Sequence, residues 1–318
     1  MKLKFMLVLL PVFLLMACRK DTIDLTWKEQ VTPTNLDLSA VHFTDTQTGH
    51  IVGGDSWYTG IYLQTTDAGK TWTKDTLTDK LLLGLHFDQE QRGYTVGIDG
   101  YFFNKEVSTV SAEWDFHRLP MYDSHRGVSF YSADKGVIVS GGAYQNGKVF
   151  RLNENYEVIA QDSFLQELSA VCFSSENIVH AVGYGIVIRS TDGGMTWKVN
   201  GIDGDFFQAI HFPSTQTGYA VGNSGMIIKT VDEGRTWKKI RSSNAVFGAV
   251  TALRAVYFVN EVTGYAVGDR GAFLRTTNGG KDWAQVEGFP KVDLRDIFVI
   301  SGKGYLVGAG GQIFSFDE

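Results

Sequence analysis

Cysteine is nearly absent: the 318 residues contain two, Cys18 and Cys172. No disulfide framework can staple such a chain, so its stability must come from an apolar core, and about 300 residues is ample for one. A basic excess is missing as well. Lysine plus arginine number 29 against 35 aspartate plus glutamate, which argues against a nucleic-acid partner, since that requires a basic face. Nor is there an apolar run long enough to span a bilayer comfortably. The one at residues 5–16 falls short of the roughly 20 residues required and is broken by Pro11. Helical periodicity is also lacking. Apolar residues come in short runs with strand-like alternation, punctuated by 36 glycines, a pattern that indicates an all-β chain.

At the N-terminus Lys2 and Lys4 precede that apolar run, and Leu15-Met16-Ala17-Cys18 closes it. A charged start, an apolar stretch and a cleavage site ending in cysteine make a signal peptide. It resembles a bacterial lipoprotein signal. The resemblance implies a signal peptide at 1–17, a lipidated Cys18, a polar tether at 18–22 and a folded domain at 23–318. Lys20 and Asp21 close to the cysteine are similar to the surface-export signals of Bacteroidetes lipoproteins. A multiply acylated cysteine anchors stably. The expected location is the cell envelope, at the outer membrane, on its periplasmic side or at the cell surface. Without residues 1–17 the chain has 27 Lys+Arg against 35 Asp+Glu, a formal charge of −8.

What is abundant is repetition. The string GYAVGNSGMIIKTVDEGRTW at 218–237 recurs as GYAVGDRGAFLRTTNGGKDW at 264–283 and, more loosely, at 181–197 and 49–72. Each copy follows an apolar segment ending at or near phenylalanine, and seven such segments occur: 39–43, 83–87, 126–130, 169–173, 208–212, 254–258 and 295–299. A second strand then ends at Gly53, Gly97, Gly141, Gly183, Gly222, Gly268 or Gly308, at intervals of 39–46 residues. That period suits the four-stranded blade of a β-propeller. The seventh copy stops one strand short at the C-terminus. The missing Thr-Trp strand stands instead at 25–31, around Trp27. The expected fold is therefore all-β: a seven-bladed β-propeller of four-stranded blades whose last blade is closed by the N-terminal strand, which hides two otherwise open edges.

The turn before each fourth strand carries a sharper motif, STDGGMTW at 190–197, TTDAGKTW at 65–72, TVDEGRTW at 230–237 and TTNGGKDW at 276–283. It is the Asp-box, or BNR repeat. Its aspartate accepts bonds from its own turn, its glycine permits positive φ, and its tryptophan covers the turn. Spread around the rim, these aspartates read as fold markers rather than as acids or calcium ligands. Blades two and three lack the box and have 104–113 and 153–156 in its place. Together with Gly-Tyr-Ala-Val-Gly, the repeat resembles the photosystem II stability/assembly factor family over nearly the whole mature chain. The resemblance implies a seven-bladed, non-catalytic scaffold that binds a protein or another ligand.

The positions where copies differ are the candidates for a site. Four residues before the phenylalanine column stand Ser39, Leu83, Arg126, Ser169, Gln208, Arg254 and Arg295. Three arginines on one level of a ring read either as an anion receptor or as three local pairs with acids such as Asp296 or Asp269. Trp57, Tyr58, Tyr144 and Tyr184 fall in turns expected on the same face, where exposed rings suit a sugar or a peptide, although packing between blades accounts for Trp57 equally well. The connection at 241–250 is long enough to serve as a flap. His42, His86 and His211 share a column with Cys172, with no ligand spacing for a metal, so a structural role is expected. A sialidase-like enzyme would carry Arg-Ile-Pro ahead of the first box, whereas this chain has Arg-Leu-Pro at 118–120, after it. Two classes remain: a lipid-anchored, non-catalytic scaffold holding a protein partner or anionic ligand, and a surface glycan-binding protein or degenerate glycosidase. No cofactor, no metal and no catalytic residue is expected, and the protein is expected to be a monomer.

Overall fold

A computed structural model describes residues 22–106, 113–119, 122–242 and 251–318 of the chain. The expected signal peptide, Cys18 and most of the expected flap lie outside the described residues. Among those described there is no α-helix, and strands dominate.

Seven antiparallel blades follow one another. Blade one is built from Asp37–Phe43, Gly49–Asp55, Thr59–Thr65 and Thr73–Thr78, from the inner strand outwards. Blade two has Leu82–Phe87, Gly93–Gly97, Tyr101–Lys105 and Asp115–Arg118. Blade three has His125–Ser132, Lys135–Gly142, Gln145–Leu152 and Val158–Gln166. Blades four and five are joined by long strands. Val179–Ser190 pairs through its first half with Leu168–Phe173 and through its second with the start of Lys198–His211. The end of Lys198–His211 is the inner strand of blade five, beside Gly218–Gly222, Ile227–Thr230 and Lys238–Arg241. Blade six has Leu253–Phe258, Gly264–Gly268, Ala272–Thr276 and Ala284–Val286, and blade seven Leu294–Ile300, Lys303–Gly308 and Ile313–Asp317.

The fourth strand of blade seven comes from the other end of the chain. Trp27–Glu29 pairs antiparallel with Ile313–Asp317, with Trp27 opposite Phe316. Upstream, Thr22–Ile23 adds a short parallel strand to the outer edge of blade six. Pairing therefore already includes Thr22, the residue expected to end the tether.

The core is a ring of seven separate interfaces. Apolar clusters join blades one and two through Val52 and Phe103, two and three through Tyr94 and Phe130, and three and four through Val139 and Ile188. Val187 and Phe207 join four to five, Tyr219 and Phe258 five to six, Phe273 and Phe314 six to seven, and Tyr305 and Phe43 close seven onto one. The repeat explains the contacts. The tyrosine of Gly-Tyr-Ala-Val-Gly stacks on the phenylalanine of the following blade: Tyr219 on Phe258 at 3.6 Å between centroids, Tyr305 on Phe43 at 3.7 Å, Tyr94 on Phe130 at 3.7 Å. Burying such a ring stabilises the fold by about 1.5–3 kcal/mol. The last glycine of the motif is required by close approach. A Cβ on Gly183 would sit 1.9 Å from the carbonyl oxygen of Glu167.

The Asp-boxes close the turns on one face of the ring. In blade one Asp67 accepts the N–H and hydroxyl of Thr71 and the hydroxyl of Thr65. Asp232 repeats this with Thr236 and Thr230, while in blade six Asn278 takes the N–H of Asp282 and donates to its carboxylate. The box tryptophans meet the phenylalanine column edge-on, as in Phe43–Trp72 and Phe258–Trp283. The opposite face carries the starts of the inner strands and the turns between second and third strands, and there the central channel opens.

Candidate ligand-binding site at the channel mouth

One backbone irregularity builds this mouth. In all seven blades the register between first and second strands slips at the residue expected to line the ring. The slips fall between Leu38 and Ala40, Leu82 and Gly84, His125 and Gly127, Leu168 and Ala170, Phe207 and Ala209, Leu253 and Ala255, and Leu294 and Asp296. A β-bulge leaves one residue unpaired and re-aims its side chain. The seven unpaired residues are Ser39, Leu83, Arg126, Ser169, Gln208, Arg254 and Arg295, and all of them line a cavity of about 620 Å³ at the mouth. The sequence-derived ring is thus one physical ring.

Its arginines are engaged by acids. Arg254 grips Asp269 with two bonds of 2.8 Å and Asn223 with one of 3.2 Å. The bond to Arg254, and its charge, hold the Asp269 carboxyl below its usual range. Arg126 Nε lies 2.6 Å from Glu167 and also donates to the Gly141 carbonyl. Arg295 is held loosely, 3.8 Å from Asp37, with both side chains partly exposed. Two of the three partners follow a rule: an arginine on one blade pairs with an acid standing two positions before the ring residue of the next. Asp37 precedes Ser39, and Glu167 precedes Ser169. Of the two acids expected as partners, Asp269 is one and Asp296 is not. The buried Ser169 hydroxyl has no hydrogen-bond partner among the described residues, and Gln208 lines the same cavity.

Aromatic residues surround part of this mouth. Trp57 is 63% exposed and Tyr58 80%, in the turn whose neighbours Asp55 and Ser56 line the cavity. Lys80 lies over the Trp57 ring at 6.0 Å. On the other side, Tyr144, Tyr184 and the half-buried Phe206 form a triangle of ring contacts at 5.3–5.8 Å. Tyr144 is placed by a turn with both Ala143 and Tyr144 at positive φ, 53° and 68°. For residues with a Cβ that conformation is costly. Glu167 secures it: one carboxylate oxygen takes the Tyr144 N–H at 2.7 Å, and the other faces Arg126. Tyr122, also exposed, follows blade two on the same face and lies against Arg118. Exposed rings therefore border blades one to four, and Arg254 and Arg295 occupy blades six and seven. Glu167, Asp37, Phe206 and Tyr122 were not anticipated from sequence. An acid two positions before the next ring residue would have signalled the first two.

Below the ring the channel continues through about 530 Å³, lined by His42, His86, Cys172, His211, Tyr257, Asp296 and Phe298 among others. An inner strand leaves one edge unpaired, and side chains of the preceding blade satisfy part of it. His86 bonds the Phe130 carbonyl, Ser129 takes the Phe173 N–H, His211 the Phe258 N–H, and Asp296 the Val41 N–H. Burial lowers His42, His86 and His211, the last to about 4, so the column is uncharged at neutral pH. Asp296 stands where the other blades have alanine or glycine, and burial in the channel pushes its carboxyl up to about 7. The Cys172 thiol is pushed up to about 12 for the same reason. Arg118, the arginine of the Arg-Leu-Pro string, lies on the outer strand of blade two, paired with Asp99 at 3.0 Å and away from the ring. Pro120 lies outside the described residues.

Residues 151–288 match the family model of the photosynthesis system II assembly factor YCF48, a stretch that includes the three Asp-boxes of blades four to six. The chain resembles that family. Among solved structures, YCF48 bound to D1 peptide superposes with a TM-score of 0.72 at 16% identity, covering 94% of this chain and 100% of that one. YCF48 from Cyanidioschyzon merolae gives 0.69 at 16%, over 92% and 98%. The WD40 β-propeller domain of Doa1 gives 0.71 at 14%, over 92% and 97%. At these identities the likeness is one of fold. No curated protein matches the chain in sequence.

Proposed function

We propose that this propeller is a non-catalytic scaffold, lipid-anchored in the cell envelope, that holds a peptide segment of a protein partner across the channel mouth. The observation that carries the reading is the division of the mouth into an arc of exposed rings, Trp57, Tyr58, Tyr144 and Tyr184, and a sector of carboxylate-paired arginines, Arg254 and Arg295. A small anion would have to displace Asp269 from Arg254, whereas a peptide offers apolar side chains to the rings and acidic ones to Arg295, the least engaged cation. A fold relative solved with a peptide bound supports the same mode. The anchor reading is supported by the charged start, the apolar run and Cys18; the location proposed with it is the outer membrane, and the protein is proposed to act as a monomer without cofactor or metal.

The test is a peptide array probed with the soluble domain beginning at residue 22. Aromatic-and-acidic peptides should bind, and Arg295→Ala and Tyr144→Ala should each weaken binding at least tenfold. Unchanged affinity in both variants would refute the site. A second reading, glycan binding, is favoured by the exposure of Trp57 and Tyr58. A glycan array run in parallel decides it: binding that is lost in Trp57→Ala would replace the peptide reading.

A further inference from the structure

We propose that the channel beneath the ring is a second binding site, which takes an alkylammonium group between a belt of aromatic side chains and the carboxylate of Asp296. It goes beyond the peptide contact at the mouth and stands whether or not that reading holds.

Strand alternation builds the channel in levels. One position after the ring, six inner strands carry alanine or glycine and the seventh carries Asp296. Small side chains leave the width open there. Two positions further on, side chains face the same cavity, because residues two apart share one face of a strand. In Leu294–Ile300 the division is plain: Ile297 and Val299 are buried in the core, whereas Asp296 and Phe298 line the channel.

At the lower level five rings form an unbroken series through neighbouring blades. Centroids lie 6.5 Å apart from His86 to His42, 4.5 Å from His42 to Phe298, 5.2 Å from Phe298 to Tyr257 and 4.6 Å from Tyr257 to His211. Successive planes are tilted by between 33° and 64°, so the belt curves round the channel instead of stacking flat. Burial keeps the three imidazoles uncharged at neutral pH. The faces of such rings attract a cation, here above all those of Tyr257 and Phe298.

Asp296 supplies the opposite charge. Its oxygens accept the N–H of Val41 and of Ile297, both at 2.9 Å. Bonding a free strand edge needs no charge, since Ser129 does the same for the Phe173 N–H. An acid adds a negative group at a place where burial pushes it up to about 7, and a buried carboxylate is costly unless a cation meets it. Arg295, its neighbour in sequence, faces Asp37 instead.

The way in is open to a cation. The mouth cavity and the channel share their ring residues. Each ring arginine already faces a carboxylate, Glu167, Asp269 or Asp37, and Asp55 adds a further acid at the mouth. An anion entering the channel would meet Asp296, and an apolar ligand would leave that carboxylate unpaired.

The experiment titrates the full-length chain in detergent micelles at pH 8 with n-butylammonium, n-butanol and butyrate. Isothermal titration reads affinity, and NMR of carbon-13-labelled histidines reads whether the ligand reaches the belt. Butylammonium should bind at least tenfold more tightly than the other two and shift the signals of His42 and His211. Asp296→Asn, which keeps an acceptor for the Val41 N–H, should abolish that preference. Tyr257→Leu, which keeps an apolar wall, should weaken butylammonium several-fold and leave butanol unchanged. Acetyl-glycyl-lysyl-glycine amide separates two sources of the same group: binding as tight as that of butylammonium identifies a lysine side chain, and binding of butylammonium alone a free amine. Equal affinity for butanol, tighter butyrate, histidine signals that do not move, or a preference that survives both substitutions would each overturn the site, as would no binding at all.

Discussion

Trp27 stands directly opposite Phe316 in the sheet of blade seven, joining the two ends of the chain. Its ring meets Phe289 at 5.1 Å and Phe314 at 5.9 Å, both edge-on, so it packs as well as pairs. Trp27→Ala should lower stability by about 2–4 kcal/mol, the lower part of the range reflecting its partial exposure. Urea unfolding would measure it, with loss of cooperativity expected if the residues up to 31 are deleted, which leaves the edge of Ile313–Asp317 open.

Asp67 titrates below its usual range. The hydroxyl of Thr71, then its N–H and the hydroxyl of Thr65, hold the carboxyl at about 2. Unfolded, the group returns to about 4. Its contribution is therefore complete above about 4 and lost as pH falls through about 2. Carboxyl NMR should place its midpoint near 2, and Thr71→Val should raise it. An unshifted midpoint in that variant would contradict the Asp-box account.

Asp296 behaves in the opposite sense. Burial pushes it up to about 7 against the bonds from Val41 and Ile297, which favour the charged form. An acid whose folded value stands above its unfolded value of about 4 binds its proton more tightly in the folded chain. Stability then declines as pH rises from about 4 and levels off above about 7. Denaturation between pH 4 and 8 should show this slope, and Asp296→Asn should flatten it.

Arg254 and Arg295 should separate stability from binding. Truncating Arg254 leaves Asp269 without its two bonds and costs about 1 kcal/mol, discounted for solvent exposure. Arg295, 3.8 Å from its acid, should be removable at a cost within about 0.5 kcal/mol. Thermal melts of the two alanine variants would test the contrast. If both lose equally, the asymmetry of the ring is wrong.

At Ala143, with φ of 53°, glycine relieves the left-handed conformation. Ala143→Gly should stabilise the fold by roughly 0.5–1 kcal/mol and leave peptide binding unchanged. Tyr144→Ala should weaken binding instead. Weakened binding in the Ala143→Gly variant would show that the strained turn does more than hold the tyrosine.

The fold was legible because one unit is written seven times. The column of phenylalanines, the glycine on which a Cβ would fall 1.9 Å from a neighbouring carbonyl oxygen and the stray Thr-Trp strand each repeat a local requirement that sequence spacing exposes. The ring was legible for the same reason, since the bulge falls at one place in every copy. The pairing of its arginines was less so. Glu167 lies 41 residues from Arg126, and Asp37 is separated from Arg295 by nearly the whole chain, so only closure of the ring brings them together. Asp269 was accessible because it follows Arg254 within one hairpin. Tyr144 was picked out as a turn residue, but its hold by Glu167 depends on the neighbouring blade and leaves no local pattern.

The strand that completes blade seven is made first and needed last. Trp27–Glu29 leaves the ribosome some 285 residues before its partner Ile313–Asp317, which at translation speeds of 5–20 residues per second is a wait of roughly 15–60 s. The ring cannot close during that interval. Assembly of this protein would then end with a docking step whose timing is set by the length of the chain between its two halves.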